Sequence, residues 1–243
     1  MPAATASPRN PLADRNVLVI GGTSGIGRAV AVRALEAGAR VTVASRHPER
    51  ASDLPAGVRT AQVDLTDTAS VEALFGGLDS LDHLVLSAGP GAIGSVRELS
   101  AADARTFMDI KFWGYYEAVR AAAGVIVGDG SITLVGGAAS RKHAPGRPTM
   151  AAVNAAVEAF AKANAIDLAP VRVNVIAPGL VDSPAYAGVP EQIRQGMFDG
   201  YAAGVPAGRV GTPDDVATAA LFLMSNTWVT GTVLDVDGGV QVA

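Results

Sequence analysis

Residues 17–46, VLVIGGTSGIGRAVAVRALEAGARVTVASR, constrain the fold more than any other stretch of the chain. An apolar run enters a glycine-rich turn, a segment with helical periodicity follows, and a second Val-rich run closes the unit. The glycines are Gly21, Gly25 and Gly27. The first permits a tight turn out of a strand, the second lets backbone approach a pyrophosphate, and the third lets a helix pack closely behind the turn. Thr23, Ser24 and Ile26 then open a helix whose N–H groups and positive end face an anion. The unit predicts a strand, a phosphate cradle, a helix and a parallel strand, with a dinucleotide as the ligand.

The rest of the chain repeats that alternation. Short runs rich in Val, Ile, Leu and Thr at 16–20, 40–44, 58–63, 83–87, 131–135, 171–176 and 232–236 predict strands. They lack strict polar alternation, the pattern of strands covered on both faces. Helical patterns lie near 25–37, 68–78, 101–123, 149–168, 187–203 and 213–225. Thr212-Pro213-Asp214-Asp215 predicts a helix start, with a hydroxyl cap, proline in the first turn and acids at the positive end. Regular strand–helix alternation implies right-handed crossovers, hence an α/β fold with a doubly wound parallel sheet and helices on both faces. Residues 1–12, polar and proline-rich, are expected to be a flexible tail, and 13–243 a single domain.

Composition narrows the function classes. Hydrophobic residues make up 49% and charged residues 17%, enough for a sizeable core. A net charge of −4 with no long basic run argues against nucleic-acid binding. The chain has no cysteine, and His47, His83 and His143 lack ligand spacing, so no metal site is expected. No apolar stretch approaches the length of a membrane span, and a cytoplasmic location is the expectation.

The second strand ends at Ser45-Arg46, where a site preferring NAD would usually carry an acid for the ribose hydroxyls. A hydroxyl and a forked cation suit a 2′-phosphate instead, so NADP(H) is the expected cofactor.

With glycines spaced Gly-x3-Gly-x-Gly, the chain resembles the short-chain dehydrogenase/reductase family from about residue 15 to its end. TAQVDLTD places Asp64 and Leu65 where the family contacts adenine. LVLSAGP is similar to the family's fourth-strand signature, with Ser87, Ala88 and Gly89 on the cofactor side. VRVNVIAPGLVDS is similar to its Pro-Gly segment, so Pro178, Gly179 and Leu180 would line the nicotinamide and Ser183 would stand near its carboxamide. The resemblance implies a seven-stranded Rossmann sheet, a homodimer or homotetramer, and hydride transfer between NAD(P) and a small carbonyl or alcohol.

The family's four catalytic positions depart from pattern. Met150 stands for the proton-giving tyrosine, Asn154 for the lysine four residues on, Gly137 for the serine, and Lys111 for the asparagine of the preceding long helix. Residues 139–170 hold no tyrosine, so no small shift of register restores the motif. Ser140 lies three residues late for the serine role. The lysine and the asparagine look exchanged, which keeps one cation and, near the nicotinamide ribose, an amide at Asn154. Lys111 and His143 are the candidate proton carriers, and Tyr115 and Tyr186 the tyrosines placed nearest by sequence. Two readings follow: an NADP(H)-dependent oxidoreductase with a non-standard proton donor, or a redox-neutral or inactive NADP(H)-binding protein that serves as a sensor or partner subunit.

Overall fold

Strands form where β-branched runs are bounded by glycine or polar turns. The computed structural model describes residues 11–51, 53–89, 91 and 93–243. Seven strands, β1 (Asn16–Ile20), β2 (Arg40–Ser45), β3 (Arg59–Gln62), β4 (Leu81–Leu86), β5 (Ile126–Val135), β6 (Arg172–Pro178) and β7 (Val233–Val236), make one sheet in the order 3-2-1-4-5-6-7. Every pairing is parallel. The strand order reverses between β1 and β4, and that switch point opens a crevice beyond the carboxyl ends of the strands.

Helices α1 (Gly25–Glu36) and α7 (Pro213–Ser225) cover one face of the sheet, burying Val30, Ala31, Ala34, Val216, Ala220 and Leu223 with Val17, Val19 and Val41. Helices α2 (Thr68–Gly76), α4 (Gly114–Ala122) and α5 (Pro148–Asp167) cover the other, with Leu74, Phe75, Tyr115, Val119 and Val157 packed on Leu84, Ile132 and Val173. Helix α3 (Ala101–Met108) precedes α4, and α6 (Glu191–Gly204) follows the β6 loop. Thr212 and Asp215 form a reciprocal capping box at α7, as the Thr-Pro-Asp-Asp run predicted.

Four expectations need correction. Leu12, placed in the tail, is 1% exposed and packs in the core with Val17 and Val41, because an apolar side chain beside the α1–α7 layer gains more from burial than from solvation. The rest of the predicted tail, 1–10, lies outside the described residues. Edge strand β3 is mostly exposed and edge strand β7 mostly half-buried, unlike the fully buried β4 and β6, since an edge strand has a sheet neighbour on one side only. Strand β5 starts five residues earlier than predicted, at Ile126 rather than 131, where its pairing with β4 shifts register between Leu81 and His83. The helical pattern at 101–123 is broken by a π-helical turn, Asp109–Trp113, which separates α3 from α4. No helix among the described residues is long and apolar enough to cross a membrane.

Candidate active site

The β1–α1 turn forms as its glycines require. Gly21 has φ +83°, and a Cβ there would lie 2.8 Å from the backbone of Ser87 and Ala88. Gly25 has φ +51° and looks across the crevice to Ser183, 3.6 Å from its would-be Cβ. Gly27 does not face the crevice: a methyl group on it would stand 2.1 Å from the Gly21 carbonyl oxygen, so it lets α1 pack directly beneath the turn. The N-cap of α1, Ser24, makes no side-chain capping bond, and the first turn carries no acid. Its free N–H groups and positive end are thus open toward the crevice.

That crevice is a cleft of about 1090 Å³. Gly21, Thr23, Ser24, Gly25 and Ile26 line it from the turn, and Ser45, Arg46, Asp64 and Leu65 from the ends of β2 and β3. Ser87, Ala88 and Gly89 line it after β4, and Pro178, Gly179, Leu180 and Ser183 after β6. Lys111, Gly137, His143, Met150 and Asn154 complete it. The loops after β1, β2, β4 and β6 meet in one space because they lie at the carboxyl ends of parallel strands, and the π turn and α5 bring Lys111, Met150 and Asn154 to the same space.

At one end, Arg46 is exposed and its charge helps hold the Asp64 carboxyl below its ordinary value, after the larger effect of the hydrogen bonds from Thr66. Those bonds come from the Thr66 N–H and hydroxyl at 2.9 and 2.8 Å. The Ser45 hydroxyl oxygen is buried in the cleft wall without a partner. A buried polar atom without a partner costs free energy until a ligand satisfies it, and a hydroxyl beside an exposed guanidinium could hold a ribose and its phosphate.

At the other end, the π turn places Lys111. A π turn inserts one residue into the helix, which rotates everything after it by about 100° relative to an unbroken helix. The aliphatic stem of Lys111 lies along Gly89, where a Cβ would meet it at 3.6 Å. Its Nζ donates to the Gly136 carbonyl at 2.9 Å and stands 6.0 Å from the centre of the Phe107 ring. With no carboxylate beside it, burial lowers its pKa to about 8. Lys111 therefore points into the cleft and not to solvent.

Asn154, on α5, lines the same cleft and is 1% exposed, with its Oδ1 lacking a partner. Gly137 leaves the room: a Cβ on it would stand 2.7 Å from Asn154 Nδ2. Met150 adds an apolar wall, its methyl 3.5 Å from where a Gly91 Cβ would be. Ser140 turns away, donating to Gly137 O at 3.0 Å and to the buried Glu158 carboxylate, and it does not reach the cleft. His143 is exposed at the rim, with Nδ1 3.2 Å from Ala139 O.

The tyrosines divide. Tyr115 is buried and donates to Ala88 O at 2.8 Å, and burial drives its pKa well above the usual phenol range. Its hydroxyl braces the turn after β4 and has no proton to spare. Tyr201, which the sequence did not suggest, donates to Asp237 O at 2.7 Å, and a Cβ on Gly179 would fall 2.0 Å from its hydroxyl. It sits on α6, and no local pattern relates it to Gly179; only the folded chain does. Tyr186 is half-buried on the segment after β6, and burial raises its pKa. Arg147, at the start of α5, also lines the cleft and was likewise missed.

The sequence matches the family model described as enoyl-(acyl carrier protein) reductase over residues 21–241. It is 33% identical to the 2,5-dichloro-2,5-cyclohexadiene-1,4-diol dehydrogenase LinX of Sphingobium indicum, covering 96% of this chain and 98% of that one. Among solved structures, a small-chain dehydrogenase in complex with NADPH is 35% identical, with a TM-score of 0.82 over 95% of this chain and 100% of the other. The MalC reductase/Diels-Alderase of Malbranchea aurantiaca is 28% identical, with a TM-score of 0.88 over 97% of this chain and 99% of the other. Agreement of sequence, strand order and cleft over nearly the whole chain leaves one assignment: it belongs to the short-chain dehydrogenase/reductase family.

Proposed function

We propose that the chain is an NADP(H)-dependent oxidoreductase of a small carbonyl or alcohol, in which Lys111 holds the proton that the family's tyrosine would otherwise carry. One observation carries this reading. The Lys111 ammonium points into the cleft with a pKa lowered to about 8, while Gly137 and Met150 on the neighbouring walls have no proton to give. A cation that is protonated at neutrality and easily deprotonated is suited to general acid–base work.

Features of the cleft itself support the cofactor. The turn holds close backbone approaches that a Cβ on Gly21 or Gly27 would prevent, the α1 N-terminus is uncapped, and Ser45 Oγ and Asn154 Oδ1 are buried acceptors without donors. Thr23, Ser24 and Ile26 would hold the pyrophosphate, Ser45 and Arg46 the 2′-phosphate, and Asn154 a ribose hydroxyl. The NADPH named for the small-chain dehydrogenase structure supports the choice of NADP(H) over NAD(H). When bound, the cofactor supplies or accepts the hydride.

The chain's own groups do the rest. Lys111 Nζ gives its proton to a substrate oxygen in reduction and takes it back in oxidation, with the Gly136 carbonyl fixing the amine's position. Its charge also stabilises negative charge developing on that oxygen. Met150, Phe107 and Ile110 line the same end of the cleft and favour an apolar substrate body beside the reacting group.

The alternative, a silent NADP(H)-binding protein, draws on the Tyr115 and Tyr201 hydroxyls, both committed to backbone carbonyls. NADPH titration alongside NADPH oxidation with a panel of aldehydes, ketones and quinones separates the two. Binding with turnover supports the oxidoreductase; tight binding with no turnover on any substrate supports the alternative.

A homo-oligomer is part of the proposal. Phe112, Trp113, Tyr116 and Phe160 form one aromatic cluster with ring centres 5.0 to 5.9 Å apart, yet Trp113 is 53% and Tyr116 40% exposed. An apolar surface of that kind suits a second copy of the chain. Light scattering that gave a monomer would remove this part.

A further inference from the structure

The cleft is unevenly charged. Asp64 is the one carboxylate that lines it among the described residues, and it stands at the Arg46 end. The other half is lined by Lys111, Lys142, His143 and Arg147. The whole chain carries 23 acids against 19 bases, so this bias runs against the composition.

Two of those cations are engaged: Lys111 donates to Gly136 O and Lys142 to Ala243 O. Arg147 is different. It is half-buried at the start of α5, and its guanidinium makes no hydrogen bond or ion pair among the described residues. The first turn of α5 holds no acid, so the guanidinium also sits at the positive end of a 20-residue helix with nothing to balance it. A charge drawn partly out of water without a counter-ion is unfavourable, and an anion in the cleft would relieve it.

The second donor is Tyr186, on the segment after β6. Its ring is braced edge-on against Phe198, with centres 5.9 Å apart, and its hydroxyl has no hydrogen-bond partner among the described residues. The Arg147 charge is felt at the hydroxyls of both Tyr186 and Tyr201. The Tyr201 hydroxyl already donates to Asp237 O, which leaves the forked N–H groups of Arg147 and the O–H of Tyr186 as the free donors.

We propose that Arg147 and Tyr186 form a carboxylate-binding subsite, so that the substrate carries a carboxylate in addition to its reacting carbonyl or hydroxyl group. A planar guanidinium matches both carboxylate oxygens at once, and a phenol adds a third hydrogen bond at no cost in charge. A neutral ester of the same acid offers neither the charge nor the geometry. Because Tyr186 lies on the β6–α6 segment and Arg147 on α5, the bound carboxylate would also tie that segment across the cleft. The reacting-group half of this statement rests on the oxidoreductase reading; the carboxylate half does not.

The test titrates NADPH-loaded protein with four acid and methyl-ester pairs of increasing length, among them 4-carboxybenzaldehyde and methyl 4-formylbenzoate. In the wild type at least one acid should bind about tenfold or more tightly than its ester, the range expected of a charge-assisted pair. Arg147→Met should abolish the preference, Arg147→Lys should keep part of it, and Tyr186→Phe should reduce it a few-fold. All three should bind NADPH as the wild type does, which reports correct folding. Equal affinity for acid and ester in every pair, no binding of any acid at millimolar concentration, or a preference that survives Arg147→Met would overturn the proposal. NADPH consumption is read separately in the same samples. Its absence with the acid preference intact would count against the oxidoreductase reading and leave the subsite standing.

Discussion

A methyl group built on Gly137 would stand 2.7 Å from Nδ2 of Asn154, a side chain that is itself 1% exposed. The two positions are thus sterically coupled: the amide fills the volume that a larger residue at 137 would need. Gly137→Ser should displace Asn154, cost about 1–3 kcal/mol of stability and weaken NADPH binding. Asn154→Ala should relieve most of that clash, so the double variant should be more stable than the sum of the single effects requires. Thermal denaturation of all four proteins in a double-mutant cycle checks the coupling. Strict additivity would show that the two residues act independently.

Lys111 sets the expected pH dependence. Its pKa is lowered to about 8 by burial, so it is protonated at neutral pH and loses its proton as pH rises through that value. Carbonyl reduction should therefore fall with an apparent pKa near 8. Lys111→Met should lower turnover by about 10²–10⁴-fold and remove that limb of the profile. The stability sign is the opposite. The unfolded chain binds this proton more tightly than the folded chain does, so Lys111 penalises folding below about 8 and the penalty fades from about 8 up to 10.5.

Arg46 stands exposed at the cleft rim, beside the unpartnered Ser45 hydroxyl. Arg46→Asp should raise the Kd for NADPH by roughly 10- to 100-fold, the value of a lost charge-assisted contact, and leave NADH binding nearly unchanged. Fluorescence titration with both cofactors measures it. Equal losses for the two would mean that Arg46 does not distinguish them.

Gly27 packs α1 onto the turn, with only 2.1 Å between its would-be Cβ and the Gly21 carbonyl oxygen. The obstacle is backbone, which cannot swing aside. Gly27→Ala should cost roughly 3 kcal/mol or more and abolish NADPH binding, as seen by denaturant unfolding and titration.

His83, on the central strand β4, makes the fold sensitive to acid. It is 3% exposed, with Nδ1 2.9 Å from the Ser131 hydroxyl, and burial lowers its pKa to about 4. The unfolded chain takes up this proton near 6.5 and the folded chain only near 4, so stability falls as pH drops across that window. His83→Gln should flatten the decline between pH 6.5 and 4 in melting experiments.

Much of the fold was legible before any coordinate. All seven strands, α1, α2, α5 and α7, and the glycine turn follow from apolar runs, caps and glycine spacing, which are properties of neighbours along the chain. The break at Asp109–Trp113 was not legible, because DIKFW has no proline or glycine to announce it. The π turn shows only in the folded chain, where it brings Lys111 to the cleft. The early start of β5 and the burial of Leu12 escaped for the same reason: both depend on partners distant in sequence.

At the site, motif spacing pointed to the glycine turn and the Ser45-Arg46 pair, and the family resemblance pointed to Lys111, Gly137, Met150 and Asn154, all of which line the cleft. Tertiary structure alone decided that Lys111 points inward, that Ser140 turns to Glu158, that the Tyr115 and Tyr201 hydroxyls donate to backbone carbonyls, and that Arg147 and Tyr186 line one cleft. Direction, burial and the availability of a proton depend on what packs around a group, and those neighbours come from parts of the chain up to a hundred or more residues away.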